Sequence, residues 1–290
     1  MTTNAPARPA AAPSSGDSTS HRRANSRIHG RQTVARAIAS EWIKIWTLRS
    51  TWITSLVTII LTVLFGAGIA ISTGQMEETR NGAKEAITSG LMFGQIAVAV
   101  LGSLVITGEY SSGQIRSSLA AVPHRGRLLV AKALVIAVWS FLTGVAAMLL
   151  TWAISAPMMD GHALPLTDTH YLGYFWGVGL SYAAFALMAM GLGHLLRSTA
   201  GAVTVVMTLL FVIDIPLQLM SRQWDWAVTL QGLEPATVAL AVQDPFALRQ
   251  MWGYPGTVAF LEQWQAVLVF GAWFLLPVIA GWIVFTRRDA

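Results

Sequence analysis

Few side chains in this sequence are ionisable, and three groups of them stand where chemistry is conceivable. Glu109 sits at the edge of a long apolar run, where an acid is costly unless it has a partner or reaches water. It can cap a following helix and pair with a basic residue of the first helix or of another protein, or it can be an ordinary interfacial acid. Asp214 lies near the end of another apolar run, two residues before Pro216. An acid at that depth raises the question of a proton relay; the plainer reading is that the run ends there and Asp214 meets water. Asp160, His162, Asp168 and His170 share one linker. Imidazole and carboxylate suit zinc, but the spacing matches no strong motif and a solvated loop is the simpler account. The chain has no cysteine, which excludes disulfides, thiol nucleophiles and cysteine metal sites. It has no Gly-x-x-x-x-Gly-Lys-Ser/Thr nucleotide loop, no His-Glu-x-x-His and no Gly-x-Ser-x-Gly. We therefore expect no catalytic residue, no metal site and no cofactor bound by the chain itself.

The stretch 109–119, closed by Pro123, links two apolar runs and is the segment around which the rest is organised. Ser111 and Gln114 have capping-box spacing, which predicts a helix start there. Ile115, Leu119 and Val122 then share one face, and Pro123 disfavours helix at Val122. Gly113 and Arg116 complete a capped, basic, amphipathic turn shaped to touch something beside a bilayer.

The elements that must position this link are membrane spans. Of the 290 residues, 54% are hydrophobic and 11% charged, and the mean hydropathy is +0.56. A soluble domain carries about 25% charged residues. Six apolar runs approach or exceed the length needed to cross a bilayer: about 52–72, 86–107, 128–156, 171–196, 199–220 and 264–285. Fifteen of the nineteen Lys and Arg residues precede the first run, follow the second or the fourth, or end the chain. The positive-inside rule then places both termini in the cytoplasm. The expectation is an all-α membrane protein of six transmembrane helices in one domain, 33–290. The basic residues gather at membrane edges, which argues against nucleic acid as a partner.

Residues 1–32 are rich in Ala, Pro, Ser and Arg and contain no apolar run, the pattern of a disordered tail. Residues 33–50 read as an amphipathic helix, with Val34, Ile38, Trp42, Ile45 and Leu48 on one side and Arg36, Ser40, Lys44 and Thr47 on the other. Glu41 and Arg49 spoil the apolar arc. Trp42, Trp46 and Trp52 suit the headgroup layer. The helix can lie flat before the first span or extend it. Linker 221–263 holds Trp224, Trp226, Trp252 and Pro235, Pro245, Pro255, with apolar stretches too short to span. It is expected to form one or two short helices roofing the bundle. Gly90 and Gly94, and Gly173 and Gly177, are spaced for close helix packing.

In three places the sequence resembles the permease subunit of an ATP-binding-cassette transporter of the type-2, exporter-like class. They are the Trp-rich segment 40–50, the stretch 107–116 between spans two and three, and the six-span layout with a long last outer linker, so the likeness covers about 33–290. Gln114 and Arg116 stand where relatives often carry Thr and an acid. The resemblance implies a multi-pass protein of the plasma membrane, of bacterial type. Its connecting helix is 33–50, with Glu41, Trp42, Lys44, Ile45, Trp46 and Arg49, and its coupling helix is 109–122. Both would dock on separate ATPase subunits, which would hold the ATP and magnesium. A second permease copy would complete a dimer through spans one and five, and the cargo is expected to move outward, as the class exports. Two rivals remain at this point: a secondary transporter driven by an ion gradient, with Asp214 as its one candidate, and a membrane anchor that transports nothing.

Overall fold

The computed structural model describes residues 33–122, 124–243 and 261–287. The expected tail 1–32, Pro123, the linker segment 244–260 with Trp252, Pro245 and Pro255, and residues 288–290 lie outside the described residues. Among the described residues all regular structure is helical. The chain runs α1 (Val34–Thr47), α2 (Arg49–Gln75), α3 (Ala83–Ala86), α4 (Leu91–Ser112), α5 (Gln114–Ala121), α6 (Arg125–Ser155), α7 (Thr169–Leu196), α8 (Thr199–Met207), α9 (Asp214–Met220), α10 (Asp225–Leu233), α11 (Pro235–Gln243) and α12 (Gln263–Arg287). A π-helical turn, Thr208–Val212, joins α8 to α9. Six segments are long and apolar enough to cross a membrane: Arg49–Gln75, Ile87–Ser112, Arg125–Met158, Tyr171–Leu196, Thr199–Met220 and Trp264–Arg287.

The bundle is built around α7, which packs against α4, α6, α8, α11 and α12. Its most apolar window is 78% buried, against 33% for α2, 17% for the α8–α9 span and 11% for α12. Its sequence explains this. Between lipid-facing helices there is little hydrophobic driving force, so close approach of small residues holds a bundle together. Ser181, Ala184, Ala186 and Ala189 are all fully or almost fully buried along α7, among the larger Tyr182, Phe185 and Met188. The Tyr182 hydroxyl, buried in the centre, is hydrogen-bonded to Thr62 of α2. Gly94 of α4 lies where a Cβ would overlap both of those oxygens, and a Cβ on Gly90 would overlap the Thr62 carbonyl. The small-residue spacing in the second span thus serves packing inside this chain.

Two breaks shape the end of the bundle that carries α1. Leu48 adopts extended backbone (φ −78°, ψ 121°) between α1 and α2, so the first helix is separate from the first span. At the other break the structure corrects the sequence reading. Ser111 does not cap a new helix: it lies in the last turn of α4, and its hydroxyl donates to the Gly108 carbonyl at 3.1 Å. Ser112 does the same at 2.7 Å and accepts from the Gln114 amide at 3.4 Å. The chain turns at Gly113, which takes φ +71° and both ends α4 and precedes α5. Left-handed backbone costs an L-residue with a side chain roughly 1–2 kcal/mol, so the break falls on the glycine. The link helix is therefore 114–121 rather than 109–122, with Glu109 still inside α4. It stops at Val122, which leaves helical geometry (φ −128°, ψ 86°).

At the opposite end, the described part of linker 221–263 forms two short helices, α10 and α11. α11 packs on α7 and α12, and Gln243 donates to Ser181 of α7 at 3.2 Å.

Gly94→Ala is expected to destabilise the protein by about 1–3 kcal/mol, the usual cost of overpacking. Gly108→Ala, inside α4 where no atom lies within 4 Å of the added methyl, should instead raise stability, by about 0.5–1 kcal/mol. Thermal unfolding of the two purified variants checks the contrast.

Candidate functional site

The polar residues at the α1 end converge on one point. α1 begins with Thr33, whose side chain accepts from the Arg36 amide at 3.4 Å. Its buried face is Ala37, Glu41 and Ile45, with Ile38 and Trp42 partly covered. Glu41 is thus at the centre of the buried stripe instead of interrupting it, and Val34 and Leu48, expected on that stripe, are exposed. The reason is a partner that local periodicity does not reveal. Lys132 of α6, 2% exposed, donates to Glu41 Oε2 at 2.7 Å and to Glu109 Oε1 at 2.6 Å. Lys44 of α1 donates to Glu41 Oε1 at 2.7 Å, to Glu109 Oε1 at 3.0 Å and to Ser118 Oγ of α5 at 2.9 Å. Ser118 in turn donates to Glu109 Oε2 at 3.4 Å.

Two cations and two anions therefore close a neutral ring across α1, α4 and α6, with α5 attached through Ser118. Burial by itself would lower the pKa of Lys44, but Glu41 and Glu109 more than offset it and hold it above the ordinary lysine value. Lys44 accordingly stays charged throughout the physiological range. A buried ion pair is a poor source of net stability, but removing one partner strands a charge. The ring thus acts as a register pin: each helix must be in place for the others to be neutralised.

Beside the ring lies an aromatic cluster. Trp139 of α6 is ringed edge-on by Trp42 and Trp46 of α1 and Trp52 of α2, with centroids 5.9, 5.7 and 5.2 Å away. Its indole donates to Ser55 Oγ of α2 at 2.9 Å, and that of Trp52 donates to the Trp46 carbonyl at 2.8 Å across the Leu48 break. On the other side of α4, the Arg197 guanidinium stacks on Tyr110 at 5.0 Å, and Arg125 donates to the Phe285 carbonyl at 2.8 Å. Arg197 itself takes φ +50° in the tight turn between α7 and α8.

The residues singled out from sequence divide into two sets. Glu41, Ile45, Glu109 and Ile115 are buried, and Trp42, Lys44 and Leu119 are half-buried. Ile115, with Leu119 and Val122 beside it, packs on Leu128 and Leu129 of α6 and on Phe285 of α12. Ser111, Gly113, Gln114 and Arg116 on the α5 side, and Trp46 and Arg49 on the α1 side, are exposed. Lys132 and Trp139 are additions that sequence reasoning missed. Lys132 does carry a signal: a lysine inside the apolar run 128–156 needs a buried acid to be tolerated.

A six-span membrane protein with a charge-locked helical platform at one end is the class that fold and site define. A family model described as ABC-2 family transporter protein matches residues 35–290. The chain belongs to that family and is a transporter permease subunit, a class that is normally non-catalytic and works with ATPase subunits on separate chains. No curated protein matches the sequence.

Lys132→Met should cost about 3–5 kcal/mol, because it leaves two buried carboxylates facing Lys44 alone. Lys132→Met combined with Glu41→Gln restores neutrality and is expected to lose less than the single variant, which thermal unfolding of both would reveal.

Proposed function

We propose that this chain is the membrane half of an ATP-driven exporter in a bacterial plasma membrane, with the α1 and α5 end in the cytoplasm. The excess of Lys and Arg at that end supports the orientation. The observation that carries the reading is the neutral four-charge ring, since it ties the short exposed helix α5 to α1, α4 and α6 at once. A partner pressing on α5 would not bend a loop; it would displace two spans and the connecting helix together.

In this reading α5 is the coupling helix and its exposed residues Gln114, Arg116 and Ser117 meet an ATPase subunit. Trp46 and Arg49 of α1 extend the same docking surface. ATP and magnesium bind in that subunit. Glu109 and Ile115 transmit the motion from inside instead of touching the partner. A second copy of the chain completes the transporter. Support comes from the broad apolar faces left open on α2, including Ile53, Leu56, Ile60 and Leu64, and on the α8–α9 span, including Ile215 and Leu219. The mostly apolar, small-residue spans suit an amphipathic, lipid-like or peptide cargo.

The test is reconstitution of the chain with its ATPase in vesicles. Arg116→Glu is expected to lower permease-stimulated ATP turnover about tenfold, the effect of losing about 1.4 kcal/mol of docking, with thermal stability unchanged. Ile115→Ala should instead lower stability by about 2–5 kcal/mol, as a buried isoleucine does. Failure of any ATPase to co-purify with the full-length chain would overturn the assignment.

A further inference from the structure

At the end of the bundle opposite α5, three polar side chains meet where α9, α10 and α11 join. The π-helical turn Thr208–Val212 precedes them, and the Ile213 amide bonds back to the Thr208 carbonyl at 3.0 Å. Such turns insert a residue into a helix and re-aim the next side chains along it; here the first re-aimed acid is Asp214. Gln231 of α10 donates its Nε2 to Asp214 Oδ1 at 3.3 Å. Glu234 lies three residues further, at the junction of α10 and α11. The junction is already held by main-chain bonds: the Val238 amide donates to the Glu234 carbonyl at 2.9 Å, and the Trp273 indole of α12 donates to the Leu233 carbonyl at 2.9 Å. The Glu234 side chain takes no part in them.

Glu234 is 4% exposed and Gln231 3%. Among the described residues, neither carboxyl oxygen of Glu234 has a hydrogen-bond partner, and neither does Gln231 Oε1. The site is rich in acceptors and short of a donor. An ionised carboxylate buried in that setting is heavily penalised.

Among the described residues, the charged groups on the surrounding elements supply no cation to Glu234. α9 contributes Asp214, α10 has only Asp225 at its far end, and α11 and the π-helical turn have none. α12 carries a charge only at Arg287, at its other end, with Glu262 just before its start, and α7 carries tyrosines, His170 in its first turn and the distant His194. Arg222, in the turn between α9 and α10, is exposed. A divalent cation such as calcium would want about six to eight oxygen ligands, and among the described residues no three acidic or histidine side chains cluster to hold one. Burial first, and then the Asp214 carboxylate, push the Glu234 pKa up to about 9.

We propose that Asp214, Gln231 and Glu234 form a proton-binding site, in which one proton held on Glu234 supplies the missing donor and fastens α10 and α11 to the end of the fifth span. Release sends the proton to water on that side of the membrane and leaves two facing carboxylates that repel. Any motion lifting the junction into water returns Glu234 toward its ordinary value of 4.5, so opening and proton release are linked. The folded state binds the extra proton between about 4.5 and about 9. Stability therefore falls as pH rises across that window and levels off above it. Nothing in this site depends on an ATPase.

Infrared titration of the full-length chain in lipid nanodiscs tests it. The expected result is a protonated-carboxyl band at neutral pH that disappears with a midpoint of about 9. Glu234→Gln should abolish the band and flatten the fall of Tm with pH. Asp214→Asn should keep the band but lower its midpoint, because the like charge is gone; this also guards against a Glu234→Gln variant that fails to fold. A neutral-pH spectrum without a Glu234-dependent band would overturn the proposal. So would a band erased by sodium or calcium at constant pH, which would mark a cation site instead.

Discussion

Two lysines and two glutamates at one end of the bundle, all buried except the half-buried Lys44, are the interaction on which the rest of this structure depends. None of the four could be there alone. Lys132 sits in an apolar span and Glu109 in another, and each is tolerated because the other neutralises it. Glu41 and Lys44 bring α1 into the same arrangement. Ion pairs of this kind contribute little net free energy against an apolar replacement of equal shape, but they are intolerant of misalignment. They therefore act less as glue than as a constraint on register. The tryptophan cluster beside them provides the complementary term, since four indoles meet edge to face in a defined geometry around the buried Trp139.

That combination explains why the two chain breaks lie where they do. Leu48 lets α1 fold across the start of α6 instead of continuing the first span, which brings Glu41 within reach of Lys132. Gly113 lets α5 turn back under α4, which brings Ser118 to Glu109 and Ile115 to Leu128. A straight continuation at Leu48 would carry Glu41 and Lys44 away from Lys132 and Glu109, and one at Gly113 would carry Ser118 away from Glu109. The breaks and the charges therefore require each other.

Much of this architecture was legible in the residues. The six spans could be read from apolar length alone, because nothing but a helix of that length can satisfy its own backbone inside a bilayer. The inward face of the link helix was also visible, as Ile115, Leu119 and Val122 recur at helical spacing. Local pattern could not show anything held by a distant partner. Glu41 looked like a flaw in an amphipathic helix because the buried one of its two counter-ions, Lys132, lies 91 residues away. Ser111 fitted a capping box, but a serine can equally bond to the carbonyl three residues back and prolong the helix it is in. The left-handed preference of Gly113, two residues on, decided between those uses. Asp214 was visible as an isolated acid; that Gln231 and Glu234 would fold back over it depends on the π-helical turn and on how α10 and α11 pack, which no local window contains.

The two ends of the bundle solve the problem of buried charge in opposite ways, and α7 is the element that allows both. At the α5 end each anion of the ring has a cation within hydrogen-bond distance. At the α9–α11 end the acceptors outnumber the donors among the described residues, and in the proposed site a proton supplies the neutrality. The axis helix packs against elements of both ends, α4 and α6 on one side and α11 on the other, and close-packed interiors are stiff. A movement imposed on α4 and α6 must be absorbed against α7, and α7 in turn supports α11 through Ser181 and Gln243. If, as proposed, the ATPase acts on α5 and a proton is held on Glu234, the force enters at the pinned end and the change of charge occurs at the other.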